Sequence, residues 1–543
     1  MSKSSRTHWT LYLTVLSAIG ILSPLASRAV GQDYFGILLG LPPTYYLGLS
    51  SLTIAAGISW FERCKRTSLW ISQLVLLFVA LFIVPLMIVG TPIADHSYDF
   101  LAPSLEIVRT GRIPSVFWVP SYPLAWVLYS QLIALTGLGN ATANIDFWSI
   151  LWQLLFAIFV LSIARLLSGS NRTSVIATWL FLLADWLNLA YVSDQSAGFA
   201  LFLVFLVIIL VGMNGMDKRG VLLLAICFVG ILGTHAPSAI YGLFSLVLLA
   251  AYLKKLRSFL PIALVLLLTW ELYFAYGFVA TDYAATMGHL LSFGSLFRNA
   301  FVARLTYANP AHSLATRVEL IDAGLIALAG LAGLFWAFRN TERHRLPRES
   351  LIVSTTVLIA AVLTSFLIAT TLGLEIFQRT MLFTLAPLAF FASLHFTRSR
   401  KLGALLVLLM ILMGPANIIG QYNSLPRDQV SSANLQAIVV FDSYATSGLV
   451  CGGVFPGLGT GGLFPLKGSL SFQVEYDNMT RCLTPDTLVV NVPTYVTITP
   501  LDEGYYSLDV GNITVLSSIE SVLRGPLFDM TYASNGVNFY ISD

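Results

Sequence analysis

The run TPIADHSYDFLAPSLEIVRTGRIPSVFWVPSYPLAWVLYSQLIALTG, residues 91–137, decides how this chain is read. It follows a membrane-length apolar run and opens with Asp95, His96 and Asp99 inside five residues. Its pattern predicts an amphipathic helix from Phe100 to Arg109, stopped by Gly111 and Pro114. An aromatic, proline-containing apolar segment closes it. Carboxylates placed where a spanning helix leaves the bilayer cost free energy unless they meet water, a cation or a substrate. This loop is therefore the first candidate for chemistry.

Working outward, the surrounding composition sets the class. Of 543 residues, 57% are hydrophobic and 10% charged, against roughly 25% charged in soluble domains. No soluble fold covers that much apolar surface, so a polytopic membrane protein is expected. A net charge of +3 is too small to suggest nucleic acid. The first apolar run, about residues 11–26, lacks a small-residue cleavage site and is expected to be retained as a span.

At about 20 apolar residues per crossing, runs stand near 10–27, 35–60, 69–90, 147–167, 173–192, 196–214, 220–236, 238–253, 258–277, 320–338, 350–372, 379–396 and 402–420. The positive-inside tendency orients them. Lys3 and Arg6 place the N-terminus in the cytoplasm. Arg63, Lys65, Arg66, Lys218, Arg219, Lys254, Lys255 and Arg257 then fall inside, as do Arg339, Arg343, Arg345, Arg348, Arg398, Arg400 and Lys401. One segment is ambiguous. If residues 122–137 cross, every later basic loop flips outside; if they lie along the interface, all stay inside. They are read as a juxtamembrane helix with Trp118, Tyr122, Trp126 and Tyr129 as interfacial anchors. About thirteen transmembrane helices then fill a domain over residues 1–420, with outer loops at 91–146 and 278–319.

After Gly420 the composition changes. Residues 421–543 are rich in Gly, Ser, Thr, Asn and β-branched types. Runs such as LVVNVPTYVTITP (488–500) and NGVNFYIS (535–542) read as strands. An extracytoplasmic α/β or β-rich domain is expected there. An oxidising exterior favours a Cys451–Cys482 disulfide over two unpaired thiols. Asn478 and Asn512 are glycosylation sequons.

Polar groups from separate spans are expected to converge on the outer face. Asp194 and Gln195 (YVSDQSAGFAL) stand at one span end, His235 (GTHAPSA) at another, and Glu375 and Arg379 (GLEIFQRTMLF) at a third. Each has a plainer reading. Asp95 suits a helix N-cap, Asp99 a first-turn acid, Asp194 the cap of the next span, and His235 a helix end. Glu375 reads either as a partner of Arg379 or as a second acid. Glu271 and Asp185 read as internally paired. An arginine on the outer side, against the positive-inside tendency, makes a phosphate partner plausible for Arg379.

The first outer loop resembles that of the GT-C superfamily of integral-membrane glycosyltransferases, near the protein mannosyltransferase and aminoarabinose transferase branch. The likeness rests on Asp95, on EIVRTGRIP (106–114) and on SYPLAWVLY (121–129), with YVSDQSAGFALFL (191–203), THAPS (234–238) and EIFQRTMLFTLAPLAF (375–390) following in order. It departs from the family where Leu124 replaces the second proline of a Tyr-Pro-Pro motif, and the Trp-Trp-Asp signature of oligosaccharyltransferases is absent. The resemblance implies transfer of a sugar from a polyprenyl-phosphate donor to a protein, lipid or glycan acceptor outside the cytoplasmic membrane, with inversion. Asp95 would be the general base, Arg379 would contact the donor phosphate, and His96, Asp99, Asp194 and His235 would line the site. Asp95, Asp99 and Asp194 together are a possible divalent-metal set, but hard cations usually want more oxygen ligands, and no required metal is expected. Two rival classes remain. A transporter or flippase would carry charges near the midplane and repeated halves. A surface scaffold would act through residues 421–543.

Overall fold

A computed structural model describes residues 3–26, 37–38, 40–61, 67–89, 96–114, 119–136, 141–185, 192–213, 215, 217–277, 279–280, 310–339, 347–372, 376–422, 449–451, 494–498, 529–534 and 537–542, with backbone alone in the strands and a few helical turns. Helices stand where apolar runs are expected. They are α1 Lys3–Leu22, α2 Pro43–Phe61, α3 Thr67–Phe78, α4 Val84–Val89, α5 His96–Thr110, α6 Leu124–Thr136, α7 Ala141–Ser168, α8 Asn171–Ala184 and α9 Asp194–Gly212. After these come α10 Lys218–Thr234, α11 Ala236–Tyr252, α12 Leu260–Thr269, α13 Pro310–Arg339, α14 Arg348–Leu372, α15 Ile376–Ser393, α16 His395–Arg398 and α17 Arg400–Tyr422. Among the described residues, eight helical segments are long and apolar enough to cross a membrane, by length and composition. The chain is a multi-pass helical membrane protein.

Packing follows the rule for helices in lipid, where small residues let backbones approach. A Cβ on Gly20 of α1 would lie 2.7 Å from the Thr44 carbonyl oxygen and 3.0 Å from Gly48 Cα of α2. Ser17 and Ser51 then pair across the same contact at 3.1 Å. The outward rows, such as Leu11, Val15 and Ile19 of α1 or Leu405, Leu408 and Leu412 of α17, remain exposed. In a bilayer that surface meets acyl chains.

One irregularity has a clear cause. A π-helical turn, Val79–Ile83, joins α3 to α4, and Val84 N–H reaches back to the Val79 carbonyl. Pro85 has no N–H to offer the preceding turn. The carbonyls so released find hydroxyls instead: Tyr45 donates to Ala80 O at 2.6 Å and Tyr422 to Leu81 O at 2.9 Å.

Contacts fix which helix ends share a side. At one end, Arg172 donates to Phe396 O, Phe61 and Phe396 rings lie 5.2 Å apart, and Gly403 packs on Phe61. This end holds Arg400 and Lys401 at the start of α17 and Arg339 at the close of α13. The α9–α10 and α11–α12 connections, with Lys218, Arg219, Lys254, Lys255 and Arg257, return to the same end, because the far ends of those helices meet around Gly198, His235 and Trp270. The opposite end holds Asp194, His235 and Arg379. Arg109, Arg112, Arg317 and Arg379 are the described basic residues on that side. The segregation of basic turns from the polar site is thus built into the fold.

Four strands, β1 Leu449–Cys451, β2 Thr494–Ile498, β3 Asp529–Ser534 and β4 Val537–Ser542, form one sheet in the order β1-β2-β4-β3. β1 and β2 are parallel, and the other pairs antiparallel. In the β3–β4 pair, Ser534 opposes Val537. β2 and β4 fall within the two runs expected as strands.

Candidate active site at the helix ends

His235 is the joint between α10 and α11. Pro237 cannot continue α10, since it lacks an N–H. The backbone of His235 therefore extends (φ −155°, ψ 107°) while its N–H still reaches Ile231 O at 3.0 Å. The buried imidazole makes two side-chain contacts: Nδ1 lies 2.7 Å from Ser238 Oγ, and Nε2 lies 3.2 Å from Arg379 Nη1. A guanidinium only donates. Nδ1 also faces a donor, the Ser238 N–H at 3.3 Å, and so caps α11; each ring nitrogen thus has an N–H donor beside it. The ring is neutral in this arrangement, because a protonated ring would set two cations face to face.

The close approach depends on Gly198. A Cβ there would lie 2.6 Å from His235 Cβ and 2.9 Å from Ser238 Oγ. Gly198 lies one turn into α9, directly after Asp194 and Gln195, both half-buried. Ser193, rather than Asp194, caps α9: its Oγ accepts from Ser196 N at 3.0 Å. Asp194 Oδ1 accepts from Gln195 N at 2.7 Å, and its charge in the first turn suits the helix dipole.

Arg379 lies in the first turn of α15. One turn further, Phe383 stacks on Tyr241 with centroids 3.8 Å apart. The Tyr241 and Ser365 hydroxyls are 2.6 Å apart. Residues of α11, α14 and α15 are thus locked together below the His235–Arg379 pair.

Helices α5 and α6 reach the same end. α5 begins at His96, four residues earlier than the predicted helix, so Asp99 sits in its first turn. Gly111, at φ +68°, closes it by donating to Ile107 O, a left-handed position that glycine adopts without strain. Ser97 Oγ accepts from Val192 N at 3.3 Å, which holds the start of α5 beside the start of α9. Tyr129 of α6 donates to Ser193 O at 2.8 Å and accepts from Trp152 Nε1 at 2.9 Å. Trp270 donates to Ser121 O and Tyr122 to Glu271 Oε2, both at 3.0 Å. Leu124 packs on Gly233, two residues before His235.

These contacts change one expectation. Tyr122, Trp126 and Tyr129 are 4%, 1% and 0% exposed. They are not lipid-facing anchors: their hydroxyls serve protein partners, and Trp126 stacks on Phe100 of α5. The named contacts of α6 are nonetheless all at the His235 end.

Of the sequence-derived candidates, the structure brings His235 and Arg379 into contact and sets Asp194 and Gln195 one turn from Gly198. His96 and Asp99 are described by backbone alone. Asp95, Glu375 and Cys482 lie outside the described residues, as do Asn478, Asn512 and the side chain of Cys451, so the disulfide and the proposed base have no geometry here. Cys227 is free, buried and donates to Leu201 O. Among the described residues, no group of three or more His, Cys, Asp or Glu side chains is placed to hold a metal. Sequence reading gave no role to Gly198, Ser238 or the Tyr122–Glu271 bond. The signal for the first two was present in their neighbours, since a small residue recurs beside each polar one in DQSAG and THAPS.

This helical bundle, with basic turns at one end and the polar cluster at the other, shares its overall fold with solved membrane-protein structures. Two solved structures carry that likeness. ArnT from Cupriavidus metallidurans, bound to undecaprenyl phosphate, superposes with a TM-score of 0.51 at 11% identity, over 87% of this chain and 97% of its own. The Archaeoglobus fulgidus oligosaccharyltransferase, tethered by a disulfide to an acceptor peptide containing the NVT sequon, superposes with a TM-score of 0.50 at 13% identity, over 89% and 75%. The likeness spans both branches, so the fold does not choose between them. No family model matches the chain, and no curated protein does.

Proposed function

We propose that this chain is a membrane glycosyltransferase that moves a sugar from a polyprenyl-phosphate donor to a protein, lipid or glycan acceptor outside the cytoplasmic membrane. The observation that carries the reading is the His235–Arg379 pair. It is a guanidinium seated on a neutral imidazole at the end of the bundle away from the basic turns. A planar guanidinium suits a phosphate, which it binds bidentately. The lipid-binding neighbour ArnT adds support through the shared fold.

In this reading the N-terminus is cytoplasmic and about thirteen helices cross the membrane. α6 lies along the outer interface, and residues 421–543 form an extracytoplasmic domain that sets the acceptor. Arg379 holds the donor phosphate. His96, Asp99, Asp194, Gln195, His235 and Glu375 line the site. Asp95 takes the proton of the acceptor hydroxyl as that oxygen bonds to the anomeric carbon. The bond from that carbon to the lipid phosphate breaks on the opposite face, which inverts the configuration. Arg379 stabilises the departing phosphate.

The test uses the full chain in lipid nanodiscs. Undecaprenyl phosphate should bind saturably to the wild type and far more weakly to Arg379→Ala. Asp95→Asn should keep that binding and lose transfer. A wild type without saturable binding sinks the donor assignment, and normal turnover by Asp95→Asn removes the base.

A further inference from the structure

Away from this site, α7, α8 and α17 enclose a second polar group that the transfer reading does not use. Asp185 ends α8 and is 0% exposed, as are Gln153 of α7 and Asn417 of α17; Gln421, one turn beyond Asn417, is 1% exposed. In a bundle surrounded by lipid, each such group lacks water and must be satisfied internally.

The hydrogen bonds are lopsided. Asn417 Nδ2 donates to Leu182 O at 3.1 Å and Leu183 O at 3.0 Å, and Gln421 Nε2 donates to Asp185 O at 2.5 Å. These bonds satisfy carbonyls that the end of α8 leaves open. They also use the amide N–H groups and leave the amide oxygens. Asn417 Oδ1 and Gln421 Oε1 are buried with no hydrogen-bond partner among the described residues, and the buried Asp185 carboxyl and Gln153 amide have no partner there beyond each other.

The two α17 amides are pinned along the last turn of α8, so their oxygens stay within that turn's neighbourhood. The Gln153 side chain hydrogen-bonds the Asp185 carboxyl. The last turn of α8 thus carries one carboxyl held by Gln153, two buried amide oxygens without a partner among the described residues, and the negative end of the helix dipole. A buried charge of this kind needs a compensating partner.

We propose that Asp185, Gln153, Asn417 and Gln421 form a site for a monovalent hard cation of the sodium class. Oxygen ligands from carboxylate and amide groups are what a hard cation takes. Helix C-terminal ends serve sodium in the same way in transporters. The single carboxylate decides the charge. One monovalent ion makes the group neutral, whereas a divalent ion would leave a net positive charge buried. The ion would tie α8 and α17 to α7 on the side of the bundle opposite the basic turns. The site stands apart from the transferase reading, and its test uses no activity.

The test is thermal unfolding of the full chain in detergent. Sodium chloride is titrated against N-methyl-D-glucamine chloride at constant ionic strength, with calcium chloride as a separate arm. Binding to the folded state raises the midpoint by an amount that grows with the logarithm of free ion. A rise of several degrees in sodium is expected, together with saturable binding of radioactive sodium at about one ion per chain. Asp185→Asn should abolish both. Should that variant fail to fold, Gln153→Leu keeps the volume, removes one amide and should weaken sodium binding at least tenfold. A wild type that binds no radioactive sodium overturns the proposal. So does one stabilised by calcium alone, or one whose sodium response survives in both variants.

Discussion

Gly198→Ala is the sharpest test of the site's construction. The added methyl would stand 2.6 Å from His235 Cβ and 2.9 Å from Ser238 Oγ, where contacts between carbons are normally about 3.5–4.0 Å. His235 has little freedom to yield, because its backbone is fixed between α10 and α11. Overpacking of this kind costs about 1–3 kcal/mol. If His235 moves, its 3.2 Å bond to Arg379 is lost. A hydrogen bond to a charged group is worth about 1.5–3 kcal/mol, which corresponds to roughly 10- to 150-fold in an equilibrium or rate constant. The variant should therefore melt a few degrees lower and bind undecaprenyl phosphate about 10- to 150-fold more weakly. Gly242→Ala is the control. Its Cβ would meet Phe228 at an ordinary 3.6 Å, and alanine in a helix is favoured over glycine by up to about 1 kcal/mol. The control should melt no lower than the wild type. Wild-type melting and lipid affinity in Gly198→Ala would refute the idea that this glycine seats the histidine.

Three further outcomes follow from the same geometry. Tyr129→Phe removes a hydroxyl that donates to Ser193 O and leaves Trp152 Nε1 without it; a loss of about 1–3 kcal/mol is expected in denaturant or thermal melts. Ser193→Ala removes the cap of α9 and should cost about 1 kcal/mol, with Ser193→Thr close to neutral. Lowering the pH until His235 protonates sets two cations together, so phosphate-lipid binding should fall on the acid side. His235→Gln, which accepts from Arg379 without titrating, should flatten that limb of the profile.

Much of the bundle was legible in the sequence. Each apolar run falls on a helix, because hydropathy and the helical period are properties of a short window. The stop at Gly111 was readable for the same reason: one residue, without a Cβ, decides a left-handed turn. The residue types at the site were also legible, since His235 and Arg379 are polar groups stranded at apolar span ends. The start of α5 was read too late. The apolar pattern begins at Phe100, whereas the helix takes in His96 and Asp99, whose polar side chains carry no periodic signal.

The sequence by itself determined the class of protein, where its apolar helices stand, and which polar residues needed explaining, since burial in lipid penalises them wherever the chain folds. The tertiary structure alone decided their partners. His235 meets Arg379 across 144 residues, Tyr122 meets Glu271 across 149, and Gln421 meets Asp185 across 236. No local pattern encodes such pairings. They follow from which helices pack closely, and that is set by glycines such as Gly20, Gly48 and Gly198, whose missing side chains take on meaning only once a neighbour fills the space.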